Sequence, residues 1–355
     1  MSNPWASWLR QYDTDRFVLS RKQGWDRFVN AAPRRGFDTL SRSQMANLND
    51  KELEDYNQAR RVWNANLPTV KTQQLAAAFG IIDQVMASSH RDGDKLRGSV
   101  VIDAMPGLGK TTTAAQYAKQ FHRAQYHRYG PATPEGHQRL PVMFLSLSAG
   151  ITLKGLNQKM LEFYGHPAAS RASRTQLGSL AVDCVLSCAT RMVVIDDLHF
   201  VSFTHRNGLE VSNHLKWLAN EMPATFIFVG VGLEKKRFFD EGLLGADAAY
   251  AQTSRRATRC PIVPFGIDTS AGFRAWVDLL KLLESHVKLA DAQPGMLTDN
   301  ARILHRRTQG YIGSLTNLID RLCYLGVATG AETIDEGIIA RAVTDNAAQN
   351  ASITA

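Results

Sequence analysis

The sequence predicts an α/β fold: a parallel five-stranded sheet flanked by helices, followed by a small helical lid subdomain. Three observations carry this. Short apolar runs recur at 99–104, 142–147, 192–196, 225–230 and, more weakly, 261–265, rich in Val, Ile or Phe and without polar alternation. Strands buried on both faces read this way, so the sheet is expected to be parallel with helices on either side. Between the runs, 111–123, 153–164, 176–188 and 209–221 have the character of helices. After Gly266 the strands stop, and Phe273, Trp276, Leu280, Leu283 and Val287 follow helical spacing. Further helices are expected near 298–308, 313–325 and 335–346.

Upstream, residues 1–65 are polar and dotted with tryptophan (Trp5, Trp8, Trp25, Trp63). Short helices are expected there, as at 50–65, while Arg34-Arg35-Gly36 and 41–49 read as loop. Pro68 and Thr69 introduce a helix over 72–88, with Leu75, Phe79, Ile82 and Met86 spaced by four, three and four. The expected division is therefore an extension at 1–65, an α/β core with its lead-in helix at 66–266, and the helical lid with a tail at 267–355.

Composition limits the function classes. In 355 residues, 44% are apolar and 21% charged, which excludes a mostly disordered chain, a collagen-like fibre and a coiled-coil rod. No run of 18 apolar residues is present and the first residues lack a charged-then-apolar signal, so the expectation is a cytoplasmic protein without membrane partners. The four cysteines, Cys184, Cys188, Cys260 and Cys323, form no C-x-x-C pair and read as buried reduced thiols. The net charge of +8 favours a polyanionic partner such as nucleic acid, although many basic proteins bind none.

The strongest local signal is Ala104-Met105-Pro106-Gly107-Leu108-Gly109-Lys110-Thr111-Thr112, set between a buried strand and a helix. That context defines a phosphate-binding loop. Glycines are needed because backbone N–H groups must close around phosphate oxygens without intervening Cβ atoms. Lys110 is placed to reach β- and γ-phosphates, the Thr111 hydroxyl to hold Mg²⁺, and the positive helix end to add to the field. ATP and Mg²⁺ are the implied ligands. One departure is Ala104, which stands where the strict pattern has its first glycine.

A phosphate loop needs a metal partner on a nearby strand tip, and Met192-Val193-Val194-Ile195-Asp196-Asp197 supplies one. Four apolar residues running into a carboxylate put Asp196 at the carboxyl end of a buried strand, beside the crevice. Asp196 is the expected Mg²⁺ ligand, and Asp197 the group that orients or deprotonates the attacking water. His199 reads either as a turn histidine or as a phosphate sensor. The strand at 225–230 is expected between these two strands. Its tip, Val229-Gly230-Val231-Gly232, lacks the polar side chain that ordinarily touches the γ-phosphate. Arg255, Arg256 and Arg259 form a basic cluster before 261–265. Arg255 or Arg256 reaches a neighbouring subunit's γ-phosphate, as in oligomeric phosphate-loop ATPases, or the cluster is a solvated or DNA-facing loop.

With these pieces in place, the chain resembles the AAA+ superfamily, and within it the TniB/TnsC group of transposition ATPases, to which IstB and MuB are functionally similar. The resemblance spans about residues 55–347. Tyr56-Asn57-Gln58-Ala59-Arg60-Arg61-Val62-Trp63 and Leu67-Pro68-Thr69-Val70-Lys71-Thr72 look like the lead-in of actinobacterial TniB-type proteins. Ile195-Asp196-Asp197-Leu198-His199 looks like the group's I-D-E-I-H, with Asp197 in place of Glu. Asp is one methylene shorter, which points to slow hydrolysis. Pro223-Ala224-Thr225-Phe226 followed by Val229-Gly230 is similar to its next strand.

The most specific match is Leu304-His305-Arg306-Arg307-Thr308-Gln309-Gly310-Tyr311-Ile312-Gly313-Ser314-Leu315, where many AAA+ proteins carry a sensing arginine and TniB-like proteins carry G-x-I-G-S-L. The resemblance implies an ATPase that assembles as a ring or helical filament on double-stranded DNA and recruits or activates a DDE transposase. Lys154, Lys159, Arg171 and Arg174 are its candidate phosphate contacts, with a plain solvated basic face as the alternative. Two rivals are a switch-type ATPase of phage defence or signalling, and a nucleotide-binding scaffold with little turnover.

Overall fold

The computed structural model describes residues 3–11, 17–92, 95–201, 206–233 and 257–345. In chain order the elements begin with α1 (Pro4–Gln11), α2 (Lys22–Asn30), α3 (Arg42–Ala46), α4 (Asp50–Asn64) and α5 (Gln73–Met86). Then come β1 (Ser99–Asp103), α6 (Lys110–Tyr129), β2 (Val142–Ser146), α7 (Leu153–Tyr164), α8 (Arg174–Ser187), β3 (Met192–Asp196), α9 (Arg206–Glu221) and β4 (Thr225–Gly230). The chain continues through β5 (Ala257–Arg259), α10 (Ser270–Glu284), α11 (Ala301–Thr308), α12 (Ile312–Ala328) and α13 (Glu336–Arg341). Among the described residues no helix is long and apolar enough to cross a membrane.

The chain forms two compact units: 16–32 with 74–263, and 1–15 with 33–73 and 264–355. This differs from the expected division at 65 and 266, because the first 65 residues are shared between the units. The reason is aromatic packing. In the first unit Trp25 of α2 is fully buried, stacks on Phe144 of β2 and donates its indole N–H to Nδ1 of His122 on α6 at 3.0 Å. Burial pushes His122 down to about 4, so the ring is neutral at physiological pH and can accept this hydrogen bond.

The sheet has the order β2-β3-β4-β1-β5 and every pairing is parallel. β3 and β4 are buried along their whole length, as the unbroken apolar runs require. α6 packs on β2, β3 and β4, and α7 packs on β2, α8 and α9. β4 lies between β1 and β3, so the tips of the phosphate-loop strand and the carboxylate strand flank the tip of β4.

Two expected elements are corrected. The fifth strand is Ala257–Arg259, paired with Ser99–Val101, and not 261–265. Cys260 still donates to Val101 O, at 2.8 Å. Pro261 and Pro264 lack the N–H a ladder needs, so the apolar run after Cys260 leaves the sheet. The true strand was hidden because it is an exposed edge and reads as polar. The segment 41–49 is not all loop: Ser41 and Gln44 form a reciprocal capping box that starts α3. A second box, Asn49 with Glu52, starts α4 where a helix was expected.

The second unit is built on α10–α13, with Trp276, Leu280, Leu304, Leu315, Leu318 and Leu322 at its core. α4 belongs to it. Trp63 donates to His286 O at 2.7 Å, and Asn64 exchanges hydrogen bonds with the Lys288 backbone. Arg60 of α4 is 1% exposed and pairs with both carboxylate oxygens of Glu332, one at 2.9 Å. Glu332 also accepts from Ala290 N at 2.9 Å. Removing one partner of such a pair leaves a buried, uncompensated charge. Arg60→Ala is therefore expected to destabilise this unit by about 3–5 kcal/mol, and the double variant Arg60→Met/Glu332→Gln, which removes both charges and keeps an acceptor for the Ala290 N–H, to recover part of that stability. Urea unfolding followed by far-UV circular dichroism checks this; equal destabilisation in both variants would assign the effect to packing and not to the pair.

Candidate nucleotide site

The loop 104–109 joins β1 to α6. Gly107 and Gly109 have φ of 77° and 81°, the left-handed region where a side chain is strained, so both glycines of the motif are required by the backbone. Ala104 donates its N–H to Gly230 O at 3.3 Å and continues the pairing of β1 with β4. Its backbone is not left-handed, which is why alanine serves where the strict motif has glycine. Leu108 is buried, 5% exposed, while Met105 is exposed and Pro106, Gly107, Thr111 and Thr112 lie open.

α6 starts at Lys110 with no side-chain cap and no acidic residue in its first turn. Its first N–H groups and its positive end are thus left to meet an anion. The Thr113 N–H, by contrast, already donates to Gly109 O at 2.8 Å. Lys110 Nζ donates to Met105 O at 2.8 Å, across the loop it closes. Burial lowers the Lys110 pKa, opposed by the carboxylates of Asp196, Asp103 and Asp197.

Asp196, at the end of β3, is 4% exposed. Its Oδ1 accepts from the Asp197 N–H at 2.8 Å, and the Thr111 side chain lies beside the carboxylate. Burial raises its pKa above the usual carboxylate range, and the neighbouring Asp197 adds to the rise, while the Thr111 side chain and Lys110 act against it. No Lys or Arg makes an ion pair with it among the described residues. A buried carboxylate beside a hydroxyl at the mouth of a phosphate loop is a donor set that suits Mg²⁺, which takes one or two protein oxygens and completes its shell with phosphate and water. Among the described residues no group of three His, Cys, Asp or Glu side chains could hold a metal by itself.

Asp197 has φ 59°, a left-handed conformation that Asp tolerates better than most residues. Its Oδ2 accepts the Ser146 hydroxyl at 2.7 Å. Ser146 ends β2 directly opposite Asp196. Sequence reading passes over it; the available signal is a small hydroxyl residue closing the apolar run next to the carboxylate strand. His199 lies in the short turn after Asp197, its ring tilted against Phe200 at 4.3 Å. The tip of β4 is glycine and valine, with Gly232 left-handed at φ 63°, so no side chain there offers a polar contact to phosphate.

Ala104, Met105, Pro106, Gly107, Leu108, Gly109, Lys110, Thr111, Thr112, Asp196 and Asp197 thus come together at one end of the sheet. Arg255 and Arg256 lie outside the described residues. Lys154 is exposed on α7 and Lys159 is half-buried five residues on, roughly 140° around the helix, so the two do not share a face. Arg171 is exposed after the turn at Pro167–Ser170, and Arg174 opens α8.

The sheet order, the phosphate loop and the carboxylate strand define the AAA+ phosphate-loop nucleoside triphosphatase fold. Residues 92–237 match the family model described as AAA domain. Among solved structures, the chain is similar to the ORC1 protein of Aeropyrum pernix in complex with DNA, at 13% identity and TM-score 0.58, over 82% of this chain and 69% of that one. It is similar to the ORC2 protein of the same organism, in ADPNP–ADP complexes, at 14% identity and TM-score 0.58, over 82% and 74% of the two chains. Cdc6p from Pyrobaculum aerophilum matches at 13% identity and TM-score 0.53, over 76% and 67%. At these identities the likeness establishes the fold. No curated protein matches the sequence.

Proposed function

We propose that the chain is an ATP-dependent, DNA-binding regulator of the TniB/TnsC type, which assembles on double-stranded DNA and recruits or activates a DDE transposase. The observation that carries the ATP part is the meeting of Thr111 and Asp196 at the mouth of a glycine-built phosphate loop. The loop N–H groups and Lys110 bind the phosphates. Thr111 and Asp196 hold Mg²⁺, which neutralises phosphate charge when bound. Asp197, tied by Ser146, orients the attacking water.

Support for the DNA part comes from the net charge of +8 and from a fold shared with a protein solved on DNA. The narrower reading rests on Gly310-Tyr311-Ile312-Gly313-Ser314-Leu315. Gly310 is left-handed at φ 71°, and a Cβ there would meet Phe265 O at 2.0 Å, so this glycine is required. Arg307, in the same segment, is committed to the carbonyls of Ile339 and Ala342 within its own unit. In oligomeric phosphate-loop ATPases a neighbour's arginine completes the site, and Arg255 or Arg256 is the candidate for that role. Arg255→Ala/Arg256→Ala is therefore expected to leave weak ATP binding by single subunits and to block ATP-dependent assembly. Light scattering and negative-stain imaging with duplex DNA check it; a parent protein that stays monomeric on DNA at saturating ATP would favour the switch-type ATPase instead.

A second reading, a nucleotide-binding scaffold with little turnover, is favoured by the bare tip of β4 and by the Asp at 197. Phosphate release separates the two.

A further inference from the structure

A cavity of about 570 Å³ opens at the other end of the sheet, where β1 and β5 begin. It is bounded by the end of α5, the turn at Ala87–His90, the segment leading into β1, and the exposed edge strand. The length of β1 puts it roughly 13 Å from the phosphate loop. Three arginines line it: Arg91, Arg97 and Arg259.

The Arg91 and Arg97 side chains are set in place by the backbone. Arg97 Nη1 donates to the carbonyls of Ser88, Asp92 and Lys95 at 3.2–3.3 Å, and its Nε is buried with no hydrogen-bond partner among the described residues. Arg91 Nη1 donates to Leu96 O at 2.9 Å. The segment is closed by Gly98 N–H on Ser88 Oγ at 2.8 Å. Among the described residues no carboxylate pairs with Arg91 or Arg97, and the nearby Asp92 is paired with Lys95. Guanidinium groups held on carbonyls and not neutralised by acids are a preorganised site for an anion, since their ordering has already been met by folding. Gln84 and Thr258 add neutral hydrogen-bonding groups, and among the described residues no aromatic ring lines the cavity. Without a stacking surface the site suits the phosphates and not a base.

We propose that this cavity is a second phosphate site, separate from the ATP crevice, that takes a phosphodiester segment of a nucleic-acid backbone or a free polyphosphate. The cavity stands without the DNA reading above; only the source of the phosphate draws on it.

The test compares the full chain with Arg91→Gln and Arg91→Gln/Arg259→Gln, in which glutamine keeps an N–H for Leu96 O. Arg91→Lys, which keeps the charge, serves if a glutamine variant melts early. One arm measures duplex DNA binding against salt. The other titrates tripolyphosphate by calorimetry in a Lys110→Ala background, where the ATP crevice is disabled. With DNA as the source, the slope of log affinity on log salt becomes shallower by about 0.9 for each DNA phosphate that the variant no longer neutralises, and ATP affinity of Arg91→Gln is unchanged. With a free polyphosphate as the source, DNA binding is unchanged and tripolyphosphate binds at least about fivefold more weakly. Either result supports the site. If the chain binds no DNA at all, the DNA reading fails and the tripolyphosphate arm alone decides. Unchanged binding in both arms, with Arg91→Lys also matching the parent, overturns the proposal.

Discussion

Lys110→Ala is expected to weaken ATP binding by about 100-fold or more while the protein stays folded. The ammonium is the only positively charged side chain in the loop 104–112, and the phosphates it meets are multiply charged. A charge-assisted hydrogen bond of about 1.5–3 kcal/mol therefore disappears together with longer-range attraction. The fold is expected to be spared. Among the described residues Nζ bonds only Met105 O, on the loop itself, and the residue is half exposed, whereas the loop's shape is set by the two left-handed glycines and the buried Leu108. Equilibrium binding of a fluorescent ATP analogue, with a thermal melt alongside, checks both halves. Unchanged affinity in a folded variant would remove the phosphate-loop assignment.

Asp197→Asn is expected to keep ATP bound and to slow its cleavage by about 100-fold, in the range for removal of a general base or water-orienting carboxylate. The substitution is mild in structure: asparagine accepts from Ser146 through its amide oxygen and tolerates the left-handed backbone that φ 59° demands. Phosphate release under single-turnover conditions measures the step. Ser146→Ala provides the comparison, because it frees the carboxylate without removing it and should lower kcat by less, with KM unchanged. Hydrolysis by Asp197→Asn at the parent rate would move the role elsewhere, with His199 next in line.

Much of this site was legible in the sequence because its chemistry is local. A glycine loop between an apolar run and a helix, and two aspartates ending another run, place themselves once the strands are parallel. Ser146 was not legible, since its role depends on the register that sets it opposite Asp196, and register is a pairing between distant segments. The same holds for α2: nothing local in Trp25 says that it stacks on Phe144, 119 positions downstream, so the extension read as a separate piece. The fifth strand failed for a different reason. An edge strand is half solvated, so Ala257-Thr258-Arg259 carries no apolar signature, and the run after it is more apolar but interrupted by prolines. In the helical unit, the spacing of Trp276, Leu280 and Leu283 was sufficient, because a helix buries one stripe and the stripe is written every three or four residues.

The measurement that most directly tests the account is duplex DNA affinity with and without a non-hydrolysable ATP analogue, at two salt concentrations, in the parent and in Lys110→Ala. If nucleotide and DNA favour the same assembled form, each tightens the other. The predicted result is DNA binding at least about fivefold tighter with the analogue, weakened steeply by salt, with little base preference, and no response to the analogue in Lys110→Ala. DNA binding of equal strength with and without the analogue in the parent protein, or none in either case, would contradict it.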